Sequence, residues 1–442
     1  MVERTKEMRL ILTITLLPRI CYRKGSRMIT IGKMPRKVKG FFKPLGSHFA
    51  QRAWGHFWGL VLAITVAHGS TIDHLARLLR GSTHRTNHGE FLWRSRWDES
   101  GVIEQIALDT LKRLYRKDAG GCYLIIDETQ TLKRAKKMSG VRKLYHHATG
   151  KYGTGHTMVK ACLLYRGVTI PWGTALCLRK EDARKEGEVF LSQTELAAYV
   201  IHNADLPRNL KVTVLFDSYY LCDVVADACR CRGWHYIGVG KSNRNFTVDG
   251  QEKKLDKYGR NVLARDGQWR NVQGLRKSGK YCLAGRVGFM KHLGEVKVVF
   301  SRRRNERKIV ALVTDDLGAS MTSIVADYLK RWAIELLIKD EKQQLGLGDY
   351  RVLRYRAVVR HLHLVDIAYA CLTRLAIDDL SSRRSGRDEQ GQNKNEKVLR
   401  LPAISQLKAR MRQTVWQEAI KDVVKHSHEK PVLRRLEQLL AA

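Results

Sequence analysis

The clearest periodic pattern in the chain lies between residues 320 and 345 and predicts one amphipathic helix. Ser320 or Thr322 can cap its start, and two nearby glycines, Gly346 and Gly348, end it. At about 100° per residue, an apolar stripe is formed by Val325, Leu329, Trp332 and Leu336. A polar stripe roughly 60° wide runs beside it and holds Tyr328, Arg331, Glu335 and Lys342. We expect the helix to pack one edge into a core and to point these four polar groups the same way; an exposed face of Glu/Lys pairs is the alternative.

Two short apolar runs each lead into an aspartate. Residues 121–128 (GCYLIIDE) predict a buried strand that presents Asp127 at its carboxyl end, and residues 211–216 (KVTVLF) predict a second strand that Asp217 follows at once. Further strands are expected at 156–165, 168–178 and 235–239, and helices at 192–203 and 222–232. The elements then follow in the order β-β-β-α-β-α-β, with an acid after the first and the fourth strand.

Three other acids compete with these aspartates. Glu128 should point to the opposite side of its strand from Asp127. Asp315 and Asp316 precede the amphipathic helix, where a turn or capping role suits them better. Because an aspartate at the end of a strand is often just a helix cap, position alone assigns no function to Asp127 or Asp217.

Residues 48–118 have helical periodicity and predict an N-terminal helical domain. Two short helices joined by a tight turn precede a basic and aromatic segment, THRTNHGEFLWRSRW, which is compatible with a helix-turn-helix-like DNA reader. A plain helical bundle is the alternative. The candidates for DNA contact are Arg85, Arg94 and Arg96.

Differences in composition divide the rest of the chain into four segments. Residues 1–47 predict a basic, disordered arm, and residues 241–300 are polar and glycine-rich with an alternating stretch near their end. Residues 379–397 are charged and of low complexity, which predicts a linker, and residues 398–442 predict a C-terminal helical tail.

Net charge and cysteine usage restrict the kinds of partner and of metal or disulfide site that the chain can have. The 81 Lys and Arg residues exceed the 43 Asp and Glu residues by 38, which points to nucleic acid or another polyanion as the partner. The nine cysteines include no CxxC pair, so neither a zinc framework nor a disulfide pattern is predicted. No apolar run reaches the roughly 18 residues of a membrane span, and we expect a cytoplasmic protein.

The spacing Tyr328-x2-Arg331-x3-Glu335-x6-Lys342 resembles the signature of bacterial insertion-sequence transposases of the insertion-sequence-four superfamily. All four positions match, and the order of the predicted segments also fits. The resemblance implies an α/β fold with a ribonuclease-H-like catalytic domain made of residues 119–240 and 301–378. A β-rich insertion at 241–300 would interrupt that domain, and the N-terminal helical domain would contact the ends of the element.

The resemblance also implies the chemistry. The catalytic acids and metal ligands of that family correspond to Asp127, Asp217 and Glu335. They would hold two Mg²⁺ ions about 3.5–4 Å apart, for which Mn²⁺ can substitute, to activate the nucleophile and stabilise the leaving oxygen. The positions that bind the DNA end correspond to Tyr328, Arg331 and Lys342.

The expected function is therefore a DNA transposase that cuts at the ends of its own insertion sequence and joins them to target DNA. It would act on double-stranded DNA as a homodimer, in the cytoplasm and near the bacterial nucleoid. A non-catalytic DNA-binding protein derived from a transposase is the alternative, and a stand-alone nuclease is a third possibility. These three readings differ in whether DNA is cut and whether strands are joined.

Trp269 and the pair His146 and His147 are further residues with a possible role at the site. Trp269 is a candidate partner for a base flipped out in a hairpin intermediate, although an ordinary packed tryptophan is the commoner case. His146 and His147 are expected to lie in a loop or contact DNA, because Mg²⁺ does not need imidazole ligands.

Overall fold

The computed structural model describes residues 31, 33–79, 84–117, 120–135, 137–146, 149–274, 278–385 and 398–425. Within these residues the chain is a mixed α/β structure built on one twelve-stranded mixed sheet. The expectations for residues 1–30, 386–397 and 426–442 lie outside the described residues. In the part of the chain that is described, no helix has both the length and the apolar character needed to cross a membrane.

The strands of the sheet fall into a parallel centre and antiparallel flanks. In chain order they are β1 Cys122–Leu132, β2 Arg142–His146, β3 Lys151–Tyr165, β4 Val168–Leu176, β5 Val212–Leu215, β6 His235–Gly240, β7 Asn245–Val248, β8 Gln251–Lys254, β9 Gln268–Val272, β10 Gly279–Met290, β11 Gly294–Arg303 and β12 Ile309–Thr314. Across the sheet they run β2-β3-β1-β5-β6-β12-β11-β10-β7-β8, with β4 beside β3 and β9 beside β10. β1, β5 and β6 are parallel neighbours and are largely buried, as parallel strands usually are.

Helices cover the sheet, and the N-terminal helices share one continuous apolar core with side chains of the central strands. They are α1 Gln51–Val66, α2 Ile72–Leu78, α3 Arg85–Arg94, α4 Glu99–Leu114, α5 Lys180–Glu186, α6 Gln193–Asn203, α7 Asp223–Cys231, α8 Leu255–Asp266, α9 Met321–Tyr328, α10 Trp332–Asp340, α11 Tyr355–Ser385 and α12 Ile404–Lys425. The long helix α11 packs against α1, α3, α4, α12 and strand β4. It therefore joins the N-terminal helices to the sheet.

Residues 36–48 differ from the basic arm expected over 1–47. They form the helical turns Arg36–Val38, Lys39–Phe42 and Lys43–His48. Their apolar side chains are buried, and the Phe42 ring packs edge-on against Trp54 and Phe57. Burial of this apolar pattern outweighs the charge of the basic residues between its members.

Strand β1 is longer than predicted, so Asp127 lies inside the strand and not at its end. β1 continues to Leu132 because residues 128–132 pair with residues 155–159 of β3. Gly155 permits the close approach, since a side chain there would collide with the carbonyl oxygen of Thr131. Strand β2 was not predicted and pairs with β3, and helix α5 was not predicted either.

The segment predicted as one helix consists of four helical pieces in succession. α9 leads into a 3-10 turn, Leu329–Arg331, then α10 and a π turn, Glu341–Leu345. Ser320 caps the start by accepting a hydrogen bond from the Ser323 N–H at 3.1 Å, as predicted. The tight and wide turns rotate the faces, so the apolar stripe is only partly buried and Leu336 is 40% exposed. The side chains that face the core instead include Ile324, Ala333, Ile334 and Leu337.

Of the regions on either side of this segment, 241–300 and the described part of the tail have the predicted element types, and the start of the predicted linker does not. Residues 241–300 contain β7 to β10, most of β11 and helix α8, and they extend the same sheet beyond β12. Residues 379–385, expected in the linker, continue α11 as helix. The described part of the tail forms α12, which packs against α1 and α11.

Candidate active site

Asp127 and Asp217 lie next to each other on neighbouring parallel strands. β1 and β5 pair in register as far as Ile125 and Leu215. Each aspartate follows two residues after the last paired residue of its strand, so the equal offset places the two side by side. Lys160 on β3 is directly opposite Asp127, and paired residues share a face of the sheet.

Arg331 links Asp127 on β1 to Glu335 on helix α10. Its Nη1 donates to Asp127 Oδ2 at 2.7 Å, and its Nη2 donates to Glu335 Oε1. Asp127 also accepts the Glu128 N–H on Oδ1 at 2.9 Å. The side chains of Asp127, Arg331 and Glu335 are 16%, 17% and 31% exposed, so the cluster is accessible from one side.

The electrostatics place Asp217 and Tyr328 in the same cluster. The pKa of Asp127 is raised to about 6. Burial is the main cause, the Arg331 guanidinium opposes the rise, and the Asp217 and Glu335 carboxylates add to it. Like charges have such an effect only at short range, so Asp217 and Glu335 each lie near Asp127. Burial also raises the pKa of Tyr328 to about 12, with Asp217 and Asp127 adding to the rise and Arg331 opposing it.

Lys342, the last residue of the signature, is on the π turn and contacts β1 three residues beyond Asp127. Its Nζ donates to the carbonyl oxygen of Gln130 on β1 at 2.8 Å. Burial lowers the pKa of Lys342, and the nearby Lys160 lowers it further. The structure thus brings Tyr328, Arg331 and Glu335 to Asp127, and brings Lys342 to a neighbouring position on β1.

A buried charge cluster beneath the site was not predicted from the sequence. The ammonium of Lys160 is fully buried and lies 2.5 Å from Asp366 Oδ1 on α11 and 2.6 Å from Glu341 Oε2 on the π turn. Thr174 on β4 accepts from Lys160 and donates to Asp366, each at 2.8 Å. The sequence signals were a lysine within the apolar strand 156–165 and an aspartate within the apolar helix 361–376, since charged side chains are rarely buried unless paired.

A second network also holds the signature helix against β1. Asp327 accepts hydrogen bonds on Oδ1 from the hydroxyl of Tyr123 at 2.7 Å and from Lys330 Nζ at 2.6 Å. Tyr123 is on β1, four residues before Asp127, so this contact fixes the helix close to the acids. Nothing in the periodic pattern distinguishes Asp327 and Lys330 from ordinary exposed residues.

The carboxylates fit a divalent cation by their chemistry. Hard ions such as Mg²⁺ prefer carboxylate oxygens. Burial, with a smaller contribution from Asp217 and Glu335, raises the pKa of Asp127, and a bound cation would offset this penalty on its charged form. Among the described residues, no three His, Cys, Asp or Glu side chains are grouped tightly enough to hold a metal ion. Because the guanidinium of Arg331 bridges Asp127 and Glu335, joint ligation by those two acids requires Arg331 to release at least one of them.

Glu128 and Asp316 follow the prediction, whereas Asp315 bonds to strand β6 and has neither a turn nor a capping role in the contacts described. Glu128 points away from Asp127 and accepts from Gln193 Nε2 at 2.8 Å. Asp315 accepts the Tyr236 N–H at 3.0 Å, and Asp316 accepts the N–H of Ala319 in the following turn at 3.0 Å.

The three arginines proposed to contact DNA are exposed. Arg85 pairs with Asp73 and Arg94 with Glu90, each at 3.3 Å, and Arg96 faces solvent. Their guanidinium groups lie on α3 or just after it, and surface ion pairs of this kind exchange readily for other anions.

Trp269 and His146 differ from their commoner expectations. Trp269 is 49% exposed on β9, with the Arg302 guanidinium 6.0 Å from its ring centroid, so it is not an ordinary packed tryptophan. His146 is the last residue of β2 and is not in a loop; its Nδ1 lies 3.0 Å from Thr149 Oγ1. His147 lies outside the described residues.

Comparison with known proteins supports a nuclease lineage. Residues 41–273, more than half of the chain, match the family model of the DDE superfamily endonucleases. The matched part includes Asp127 and Asp217 and ends before the helix that carries Glu335. A search of curated proteins found no match. On the extent of the family match, the chain belongs to the DDE superfamily endonucleases.

Proposed function

We propose that the protein is a DNA transposase of the insertion-sequence-four type, which cuts at the ends of its own element and joins them to target DNA. The observation that carries the proposal is that Arg331 bridges Asp127 and Glu335, while Asp217 follows the neighbouring parallel strand at the position beside Asp127. Membership of the DDE superfamily endonucleases supports a nuclease function. The parallel strands β1 and β5, with antiparallel β3 beside β1, support a ribonuclease-H-like catalytic domain.

In this proposal the three acids are the ligands of two divalent ions, Mg²⁺ or Mn²⁺. When bound, the ions would activate the attacking hydroxyl and stabilise the leaving oxygen of the phosphodiester. Burial of Asp127 favours any cation that lowers the local negative charge, and the Tyr123–Asp327–Lys330 network holds the signature helix in place. Arg331 exchanges its carboxylate partners for a DNA phosphate, which its guanidinium can bind with two hydrogen bonds.

The other residues of the signature bind the DNA end in this proposal. Tyr328 borders the acids and offers its hydroxyl to a phosphate, and the ammonium of Lys342 adds a positive charge beside β1. The net charge of +38 supports double-stranded DNA as the partner. The helical region 48–118 would contact the element's terminal repeats, and a homodimer would hold two ends together.

The alternative is a non-catalytic DNA-binding protein derived from a transposase. The acids and the signature residues are all present, which favours the enzyme. A protein that binds the ends of its element tightly yet never cuts them with Mg²⁺ or Mn²⁺ would favour the alternative. A stand-alone nuclease would cut the ends but would not join strands.

The test compares the wild-type protein with Glu335→Gln on DNA that carries the sequences flanking its gene. Glutamine keeps the size of the side chain and removes its charge, so end binding in a mobility-shift assay should be unchanged. Cleavage on a denaturing gel should be lost in the variant. Equal cleavage by both proteins would refute the catalytic role of Glu335.

A further inference from the structure

The β2–β3 hairpin presents two aromatic rings to solvent. Tyr145 and Tyr152 are paired across the hairpin, with ring centroids 5.4 Å apart and planes at 68°. Tyr152 is 72% exposed and Tyr145 is 44% exposed. The hydrophobic effect does not account for rings left in water at this level, so an exposed pair at one point is a candidate contact surface.

Positive charge lies beside the two rings. The ammonium of Lys143 lies 5.4 Å from the Tyr152 ring centroid. Lys151 is exposed too, but it precedes Tyr152 directly in the strand, so its side chain leaves the opposite face of the hairpin. Within the described residues, no carboxylate pairs with Lys143 or Lys151. From residue 129 to residue 180 the sequence contains no Asp or Glu, so the whole region is uniformly basic. The chemistry that fits exposed rings beside unpaired ammonium groups is a strand of nucleic acid with bases free to stack.

The hairpin has a fixed position relative to the candidate active site. Tyr152 and Lys160 are eight residues apart on β3, so their side chains emerge on the same face of the sheet, the face that also carries Asp127. At about 3.3 Å per residue, Tyr152 lies roughly 26 Å from the level of the acids. The hairpin therefore reaches DNA beyond the bond to be cut.

The base of the hairpin is tied to the end of the signature segment. His156 on β3 lies 2.7 Å from the Tyr350 hydroxyl through Nδ1 and 2.8 Å from the Ser139 carbonyl oxygen through Nε2. Lys133 donates to the carbonyl oxygens of Gly348 at 2.6 Å and of Tyr350 at 3.0 Å. These contacts hold the exposed rings at a set distance from the helix that carries Glu335.

We propose that Tyr145 and Tyr152 form a stacking platform for an unpaired DNA strand that extends beyond the cut, and that Lys143 binds its phosphates. This inference rests on the proposed function for the source of the strand, but its chemistry requires no cleavage. It adds a second DNA contact to the acid site and the signature residues. A second copy of this chain is the competing occupant of the same rings.

The test measures binding by fluorescence anisotropy to a labelled duplex with a single-stranded tail of about eight thymidines, and to the blunt duplex. Tyr152→Ala should weaken binding to the tailed duplex by about tenfold and leave binding to the blunt duplex within about twofold. Tyr152→Phe should retain tailed binding, since the ring remains. Tyr199→Ala, at an exposed tyrosine on α6, should change neither affinity.

Salt dependence tests the lysines separately. Lys143→Gln should reduce the slope of log affinity against log salt by about 0.7 for the tailed duplex, whereas Lys151→Gln, on the opposite face of the hairpin, should reduce it less. Unchanged tailed binding by Tyr152→Ala, or equal losses on tailed and blunt DNA, would overturn the platform. A change of oligomeric state in light scattering, without loss of tailed binding, would assign the rings to a second copy instead.

The outcome separates this inference from the proposed function. Tailed binding that depends on Tyr152 in a protein that never cuts DNA would keep the platform and refute the transposase. Cleavage that depends on Asp127, with no effect of Tyr152→Ala on tailed binding, would support the transposase and refute the platform.

Discussion

Replacing Lys160 with Met should destabilise the fold by about 3–5 kcal/mol. The ammonium is fully buried between Asp366, Glu341 and Thr174, at distances of 2.5, 2.6 and 2.8 Å. Methionine is unbranched and of similar length, so the substitution removes the charge while filling most of the space. The Asp366 carboxylate then remains buried without its cation, and that is the costly state.

The magnitude follows from the charge balance of the cluster. Burial raises the pKa of Glu341 well above its usual range; Lys160 opposes the rise and Asp366 adds to it, so the shift favours the neutral form of Glu341. Burial acts to raise the pKa of Asp366 too, but Lys160 and Glu341 outweigh it and the pKa falls below its usual value. One ammonium therefore balances one carboxylate. Lys160→Met together with Asp366→Asn leaves no buried charge, and the double variant should recover about 2–3 kcal/mol of the summed losses.

The assay is urea unfolding of the wild type, both single variants and the double variant, followed by tryptophan fluorescence and circular dichroism. Arg260→Met is the matched control, because the Arg260–Asp256 ion pair is on the surface with side chains 66% and 47% exposed. Its unfolding midpoint should stay that of the wild type. A loss below about 1 kcal/mol for Lys160→Met, or losses that simply add in the double variant, would refute the reasoning.

Three further predictions concern the site, pH and the end of the signature segment. Arg331→Ala should lower the melting temperature and enlarge the rise that Mg²⁺ produces, since two carboxylates lose the guanidinium between them; equal Mg²⁺ shifts would contradict this. Burial lowers the pKa of His156 and His361 from 6.5 to about 4. Between those values the unfolded chain binds more protons, so the free energy of unfolding should decrease as the pH is lowered from 6.5 toward 4, by up to about 1.4 kcal/mol per pH unit for each histidine, and by less in His361→Gln. Gly346→Ala should destabilise more than Gly187→Ala in thermal melts: both glycines have φ near 72°, but only at Gly346 would a side chain meet neighbouring atoms.

Local patterns in the sequence were sufficient for several parts of the fold. The apolar runs before Asp127 and Asp217 are the parallel strands β1 and β5, as predicted. Of the two caps that the sequence offered for the signature segment, Ser320 is the one in place, because a cap depends on residues three positions apart. These features involve short stretches of chain, so their signal is present in the residues themselves.

The parts of the fold that depend on contacts between residues far apart in the chain could not be predicted from local patterns. The sequence T-Q-T-L at 129–132 carries little strand signal, and β1 continues through it only because β3 offers a partner. Lys160 is buried because Glu341 and Asp366 reach it from positions about 180 and 206 residues away in the chain. Leu336 was assigned to the core from a uniform helical period, which the 3-10 and π turns break.

The central claim is that Asp127, Asp217 and Glu335 act together to cut DNA. The most direct test incubates purified wild-type and Asp127→Ala proteins with Mg²⁺ and DNA that carries the sequences flanking the gene, and analyses the products on a denaturing gel. We expect nicks at the element's ends with the wild type and none with the variant, while both bind the ends equally. Cleavage by Asp127→Ala, or tight binding without any cleavage by the wild type, would contradict the account.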